Sequence, residues 1–142
     1  MLYRGTKVNE MKIKFEQPLS FSLEVIETDE HVPSMRVNLQ VVVAQFQNTC
    51  KYEGTFWIEC TIWDSFTKSL YGPFEKAMVL RDISGYFLLV IQEIDKNLTF
   101  TWEFTKIDVG VNRQMKISFK SVINDEVLYK IRNEFVEFPT WW

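Results

Sequence analysis

Histidine is nearly missing from this sequence: His31 is the only one. Any Ser-His-Asp or Cys-His nucleophile would have to use it. It sits among Asp29, Glu30 and Pro33, in a stretch that reads as a solvated loop, and no elbow motif surrounds any serine. Cysteine is almost as scarce. Cys50 and Cys60, with one histidine in the chain, do not make a zinc site. The first ten residues lack the apolar segment of a secretion signal, so both cysteines are expected as free thiols in a reducing cytosol.

Glycine is thin and scattered singly, which excludes a Gly-rich phosphate loop. The longest apolar run, Tyr86 to Ile91, is strand-sized, far below the ~18 residues of a membrane span. Positive charge is not in excess. Lys and Arg number 16 against 19 Asp and Glu, a net charge of −3, so a nucleic-acid backbone finds no electrostatic footprint here. The adjacent acids do not suggest a glycosidase. Asp29/Glu30 lie in the loop, Asp125/Glu126 suit a helix start, and Glu103 lies on the polar face of a strand. The expectation is therefore a protein with no catalytic set, no cofactor and no metal.

Aromatic residues are what the chain has in abundance: 12 Phe and 5 Trp, a supply that suits a filled β core. At 142 residues the chain reads as one domain, able to bury about 68% of its unfolded surface. Residues 1–11 read as an extension, because periodic sequence begins only after Met11, itself a candidate start.

The clearest element is Leu98–Thr105. Leu98, Phe100, Trp102 and Phe104 alternate with Thr99, Thr101, Glu103 and Thr105, a period of two that predicts a strand with one dry face. Asp95-Lys96-Asn97 predicts a tight hairpin joining it to a central strand, Tyr86–Ile94. An even-length turn puts Phe87, Leu89 and Ile91 on the face of Phe100, Trp102 and Phe104; a three-residue turn puts Leu88 and Val90 there. Gln114–Lys120 alternates likewise and reads as the third strand of this meander.

Upstream, residues 12–15 predict an edge strand cut off by Pro18, and residues 19–27 a strand with Leu19, Phe21, Leu23 and Val25 inward. Met35–Gln47 predicts a long strand whose later part, with Val42, Ala44 and Phe46, is apolar on both faces and so covered on both. Asn48–Gly54 reads as a connection turning at Glu53-Gly54. Thr55–Trp63 predicts a strand, after which Asp64 caps a short helix to about Leu70. Ala77–Leu80 is a further short strand. The period then changes: Asn124 as N-cap, Asp125 and Glu126, and Val127, Leu128, Ile131 and Phe135 on one stripe predict a helix over about 124–136.

The Thr55–Trp63 strand supplies the candidate site. With Phe56, Ile58, Cys60 and Ile62 inward, Trp57, Glu59, Thr61 and Trp63 share the outer face, about 6–7 Å between successive residues. Two exposed tryptophans beside an acid make a rigid contact area that selects a basic protein partner. A helix laid over that face would instead make the pair second-layer core. Trp141 and Trp142 pose the same choice between a docking tail and a plug closing the core, and the plug is the expectation.

In layout the chain resembles the small cytoplasmic immunity proteins that accompany bacterial polymorphic and contact-dependent toxins. The resemblance lies in a short acidic chain, the Trp-bearing strand Leu98–Thr105, a late helix, and the ending Phe138-Pro139-Thr140-Trp141-Trp142, and covers about Thr55 to Trp142. It implies a protein that binds and blocks one toxin. The expected fold is mainly β, an antiparallel sandwich or strongly curved sheet with one C-terminal helix. The expected function is a non-catalytic protein-binding module, in concrete form an immunity protein. The alternative is a carbohydrate-binding β-sandwich with Trp57 and Trp63 as stacking platform.

Overall fold

The computed structural model describes residues 11–142. Residues 1–10 of the expected extension lie outside the described residues; Met11 packs half-buried against the core.

The fold is mainly β, two antiparallel four-stranded sheets, each a simple meander. The first holds β1 (Lys12–Phe15), β2 (Ser20–Asp29), β3 (Ser34–Gln45) and β4 (Asn48–Glu59) in that order. The second holds β5 (Met78–Arg81), β6 (Phe87–Ile94), β7 (Asn97–Asp108) and β8 (Arg113–Val122). Helix α1 (Cys60–Ser69) links the sheets, and α2 (Asp125–Val136) follows the last strand.

The sheets meet face to face through aromatic pairs. Phe56 of β4 stacks on Phe87 of β6 at 4.7 Å between centroids. Tyr52 of β4 lies 4.6 Å from Phe104 of β7, and Phe15 of β1 meets Phe100 edge-on. Alternation places these rings: Phe21, Leu23, Val37, Leu39 and Val41 are buried from the first sheet, and Leu89, Ile91, Phe100 and Trp102 from the second. Burying each such side chain contributes about 1.5–3 kcal/mol.

The central hairpin follows the even-turn expectation. Ile94 pairs with Asn97, so Asp95 and Lys96 form a two-residue turn, both at positive φ (52° and 66°), the type I′ geometry that matches strand twist. Phe87 then faces Phe104, Leu89 faces Trp102 and Ile91 faces Phe100. Trp102 is fully buried.

The β3–β4 hairpin departs from expectation. Its turn is Phe46-Gln47, both at positive φ, and Asn48–Gly54 is strand rather than connection. The Asn48 side chain donates to the Phe46 carbonyl at 3.1 Å and braces the turn. Gly54 is not a turn residue. A β-carbon there would overlap the Tyr52 hydroxyl, so glycine makes room for a ring lying along its own strand. Nor is the far end of β3 covered on both faces. Ala44 and Phe46 are exposed, Phe46 at 90%, because this hairpin runs past the end of the core.

The stretch after β4 is the larger correction. The strand ends at Glu59 and α1 begins at once with Cys60, whose N–H donates to the Pro33 carbonyl at 2.9 Å. Cys60, Trp63, Phe66 and Leu70 are buried, spaced three, three and four apart, which is a helical stripe rather than an alternation. Asp64 therefore lies inside the helix and not at its cap. In α2, Asn124 caps as expected, accepting from the Val127 N–H at 2.9 Å, and Leu128, Ile131 and Phe135 are buried. Trp63 packs between Phe135 and Phe138, with centroids at 5.0 and 4.7 Å. The C-terminal tryptophans close this end as a plug: both are half-buried, and the Trp142 indole N–H donates to Asp64 Oδ2 at 2.8 Å.

Candidate functional site

The helix at Cys60 splits the four residues expected as one stripe. Trp57 and Glu59 remain on β4, two apart and on one face, both half-buried. Thr61 is exposed on α1, turned off the strand. Trp63 is 1% exposed and belongs to the core between the helices. The four residues do not form a continuous surface, and the two-tryptophan platform needed for sugar stacking does not form.

What surrounds Trp57 comes from elsewhere in the first sheet. Strand pairing sets Trp57 opposite Arg36 on β3, and Arg36 opposite Glu27 on β2. The Arg36 guanidinium donates to Glu27 Oε1 at 2.8 Å, so its charge is already engaged. Trp57 forms one wall of an open cleft whose other walls are Glu27, Thr28, Asp29, Glu30 and His31. The bend is held by the His31 backbone N–H, which donates to Asp29 Oδ1 at 2.9 Å. His31 is exposed in this turn, as its loop-like context predicts. Farther along the same outer face, Glu53 accepts from Gln40 at 3.1 Å. The result is a half-buried indole in a cleft lined, among the described residues, by three carboxylates, of which Glu27 is held by Arg36.

Reading the strands separately misses this cleft. Glu27–His31 and Trp57 lie far apart in sequence, and only the β2–β3–β4 register joins them. That β2 carries a register shift between Val25 and Glu27, which re-aims Glu27 toward Arg36, has no signature in the sequence beyond the unbroken apolar pair Val25-Ile26.

Glu59 faces a smaller hollow with Ile62, Arg81, Asp82 and Ile83. The Ile83 N–H donates to the Trp57 carbonyl at 2.8 Å, tying the second sheet's first connection to the β4 edge. Asp82 is buried. Its Oδ1 accepts from the Phe87 N–H at 2.9 Å, and its Oδ2 has no hydrogen-bond partner among the described residues. Burial, with the Asp82 charge adding, pushes the Tyr52 hydroxyl up to about 12. Burial, and secondarily Asp64, pushes the Cys60 thiol up to about 11, the opposite of what a nucleophilic thiolate needs.

Among the described residues no group of three or more His, Cys, Asp or Glu could hold a metal ion. No helix among them is long and apolar enough to cross a membrane. The chain matches no protein-family model, no curated protein and no solved structure.

Proposed function

We propose that this chain is a non-catalytic protein-binding module that takes a basic protein partner on the Trp57 face of the first sheet. The observation that carries this reading is the Trp57 cleft itself: a rigid, half-buried indole walled by Glu27, Asp29 and Glu30. An indole offers a large contact area at little entropy cost and attracts a cation over its face, while Asp29 and Glu30, which among the described residues are in no salt bridge, pair with lysine or arginine; Glu27 is already held by Arg36. In its concrete form the module is an immunity protein that neutralises a cognate toxin in the cytoplasm, the function implied by the resemblance in layout. Sugar binding loses its support with Trp63 in the core, since a single indole is no longer a two-ring platform.

The test is binding of the wild-type chain to the product of the neighbouring reading frame. The proposal expects a complex that weakens with salt, loses about thirtyfold in affinity on Trp57→Ala, and associates more slowly on Glu59→Lys. Wild-type affinity in both variants, with both folded, would remove Trp57 and Glu59 from the interface.

A further inference from the structure

We propose that β8 is an acceptor edge for an extended acidic segment of a partner protein, which pairs with it as an added strand. This inference is independent of the Trp57 reading: it concerns the other sheet and charge of the opposite sign.

A sheet edge is an array of unpaired N–H and C=O groups, and proteins cover or blunt most of them. Among the described residues there are four edges, and three of them carry a bond or a covering element over at least part of their length. At β1 the Lys14 N–H donates to Glu134 Oε1 of α2 at 2.8 Å. Strand β5 is four residues long and lies beside α1. The later part of β4 is bridged by the Ile83 N–H on the Trp57 carbonyl. Strand β8 runs for ten residues, and among the described residues no backbone group of Gln114–Lys120 bonds outside its ladder with β7.

Its side chains state what could pair there. Arg113, Lys116 and Lys120 are its charged residues, and it contains no acid. Arg113 faces Asp108 across the ladder, but Lys116 faces Thr105 and Lys120 faces Thr101. Glu103 stands opposite Ser118, between the two lysines. Neither lysine is in a salt bridge among the described residues. On the other face, Ile117 and Phe119 are only half-buried and Met115 is 52% exposed, so among the described residues no element closes the inter-sheet core beyond β8.

Lysines on an edge strand ordinarily guard it against self-association, and they do so here. No register of β8 against a second β8 brings an acid to either lysine, because the strand has none; pairing centred on Ser118 sets Lys116 against Lys120. The same guard admits an acidic visitor. A segment with acids at i and i+4 and apolar residues at i+1 and i+3 would match Lys116 and Lys120 on one face. On the other it would cover Ile117 and Phe119.

The probe is a nine-residue peptide alternating valine and glutamate, with a valine–lysine peptide as control. Both are added to the full chain and followed by fluorescence anisotropy and backbone amide exchange. The expected result is binding of the glutamate peptide alone, with slowed exchange confined to 113–122 and its neighbour β7. The double variant Lys116→Glu/Lys120→Glu, with an unchanged melting temperature as folding control, should weaken that binding about tenfold and admit the lysine peptide. The proposal is overturned if the glutamate peptide fails to bind, if exchange slows at another edge, or if the charge-reversed variant binds it equally well. Protection of β8 that grows with protein concentration alone would assign the edge to a second copy and overturn it too.

Discussion

Tyr52 lies along its own strand and fills the space above Gly54, where a β-carbon would overlap its hydroxyl. The ring is thereby carried to Phe104 and Trp102 of the opposite sheet, at 4.6 and 5.6 Å between centroids. Gly54 is thus a packing residue, and its smallness is what lets β4 contribute an aromatic ring to the inter-sheet core. Gly54→Ala should cost about 1–3 kcal/mol by overpacking, read as a shift in urea midpoint. Tyr52→Phe removes the overlapping oxygen, so the double variant should lose less than the sum of the two single ones. Additive losses would mean that the two positions do not compete for space.

Alkaline pH should destabilise the fold through two named groups. Tyr52 titrates near 12 in the folded chain against an ordinary 10, and Cys60 near 11 against 9. Both neutral forms are favoured by folding, so the folded state holds more protons than the unfolded one across that range. Stability is fully present below pH 9 and declines as pH rises through 11 and then 12. Urea unfolding at stepped pH checks this, and Tyr52→Phe should flatten the upper part of the decline. A profile level from 9 to 12 contradicts the burial of Cys60 and the partial burial of Tyr52.

The two thiols should separate cleanly toward a thiol reagent. Cys50 is exposed on β4 and Cys60 is buried at the start of α1. At pH 8 the native protein should show one fast-reacting thiol, and the second only on the unfolding timescale. Cys50→Ser should abolish the fast phase and leave the melting temperature almost unchanged.

Much of the fold is legible in the sequence wherever one period governs a whole element. Leu98–Thr105 alternates without a break, and its register with Phe87, Leu89 and Ile91 follows from turn parity alone. Asn124 announces α2 because its side chain does the capping. The failures sit where two patterns overlap. Phe56, Ile58, Cys60 and Ile62 alternate like a strand, yet Cys60, Trp63, Phe66 and Leu70 also fit a helix, and tertiary packing against Phe135 and Phe138 decides. The N-cap gives no warning, since Glu59 makes no side-chain cap bond. Turn chemistry misleads once more at Phe46-Gln47, a type I′ pair without the glycine or asparagine that usually marks one, while Gly54 advertises a turn it does not make. The Trp57 cleft was half legible: Trp57 and Glu59 stand out on β4, but their acidic neighbours arrive by cross-strand register.

Trp57 and Trp63, which an unbroken alternation would place on one face, lie in different environments. Trp63 is buried against Phe135 and Phe138, so Trp63→Ala should cost about 3–5 kcal/mol, a large part of a typical stability of about 5–15 kcal/mol. Any loss of partner binding by that variant would follow from loss of fold. Trp57 is half-buried on the outer face, opposite an Arg36 already engaged by Glu27, so Trp57→Ala removes contact area without opening the core. Its cost should stay near 1 kcal/mol, the centre of ordinary substitutions. Melting curves of the two variants decide the placement before any partner is added. Equal losses would put Trp57 in the core and leave the acidic cleft without its aromatic wall. A small loss at Trp57 beside a large one at Trp63 leaves Trp57→Ala a folded protein, and its affinity for a basic partner then reports on the interface alone.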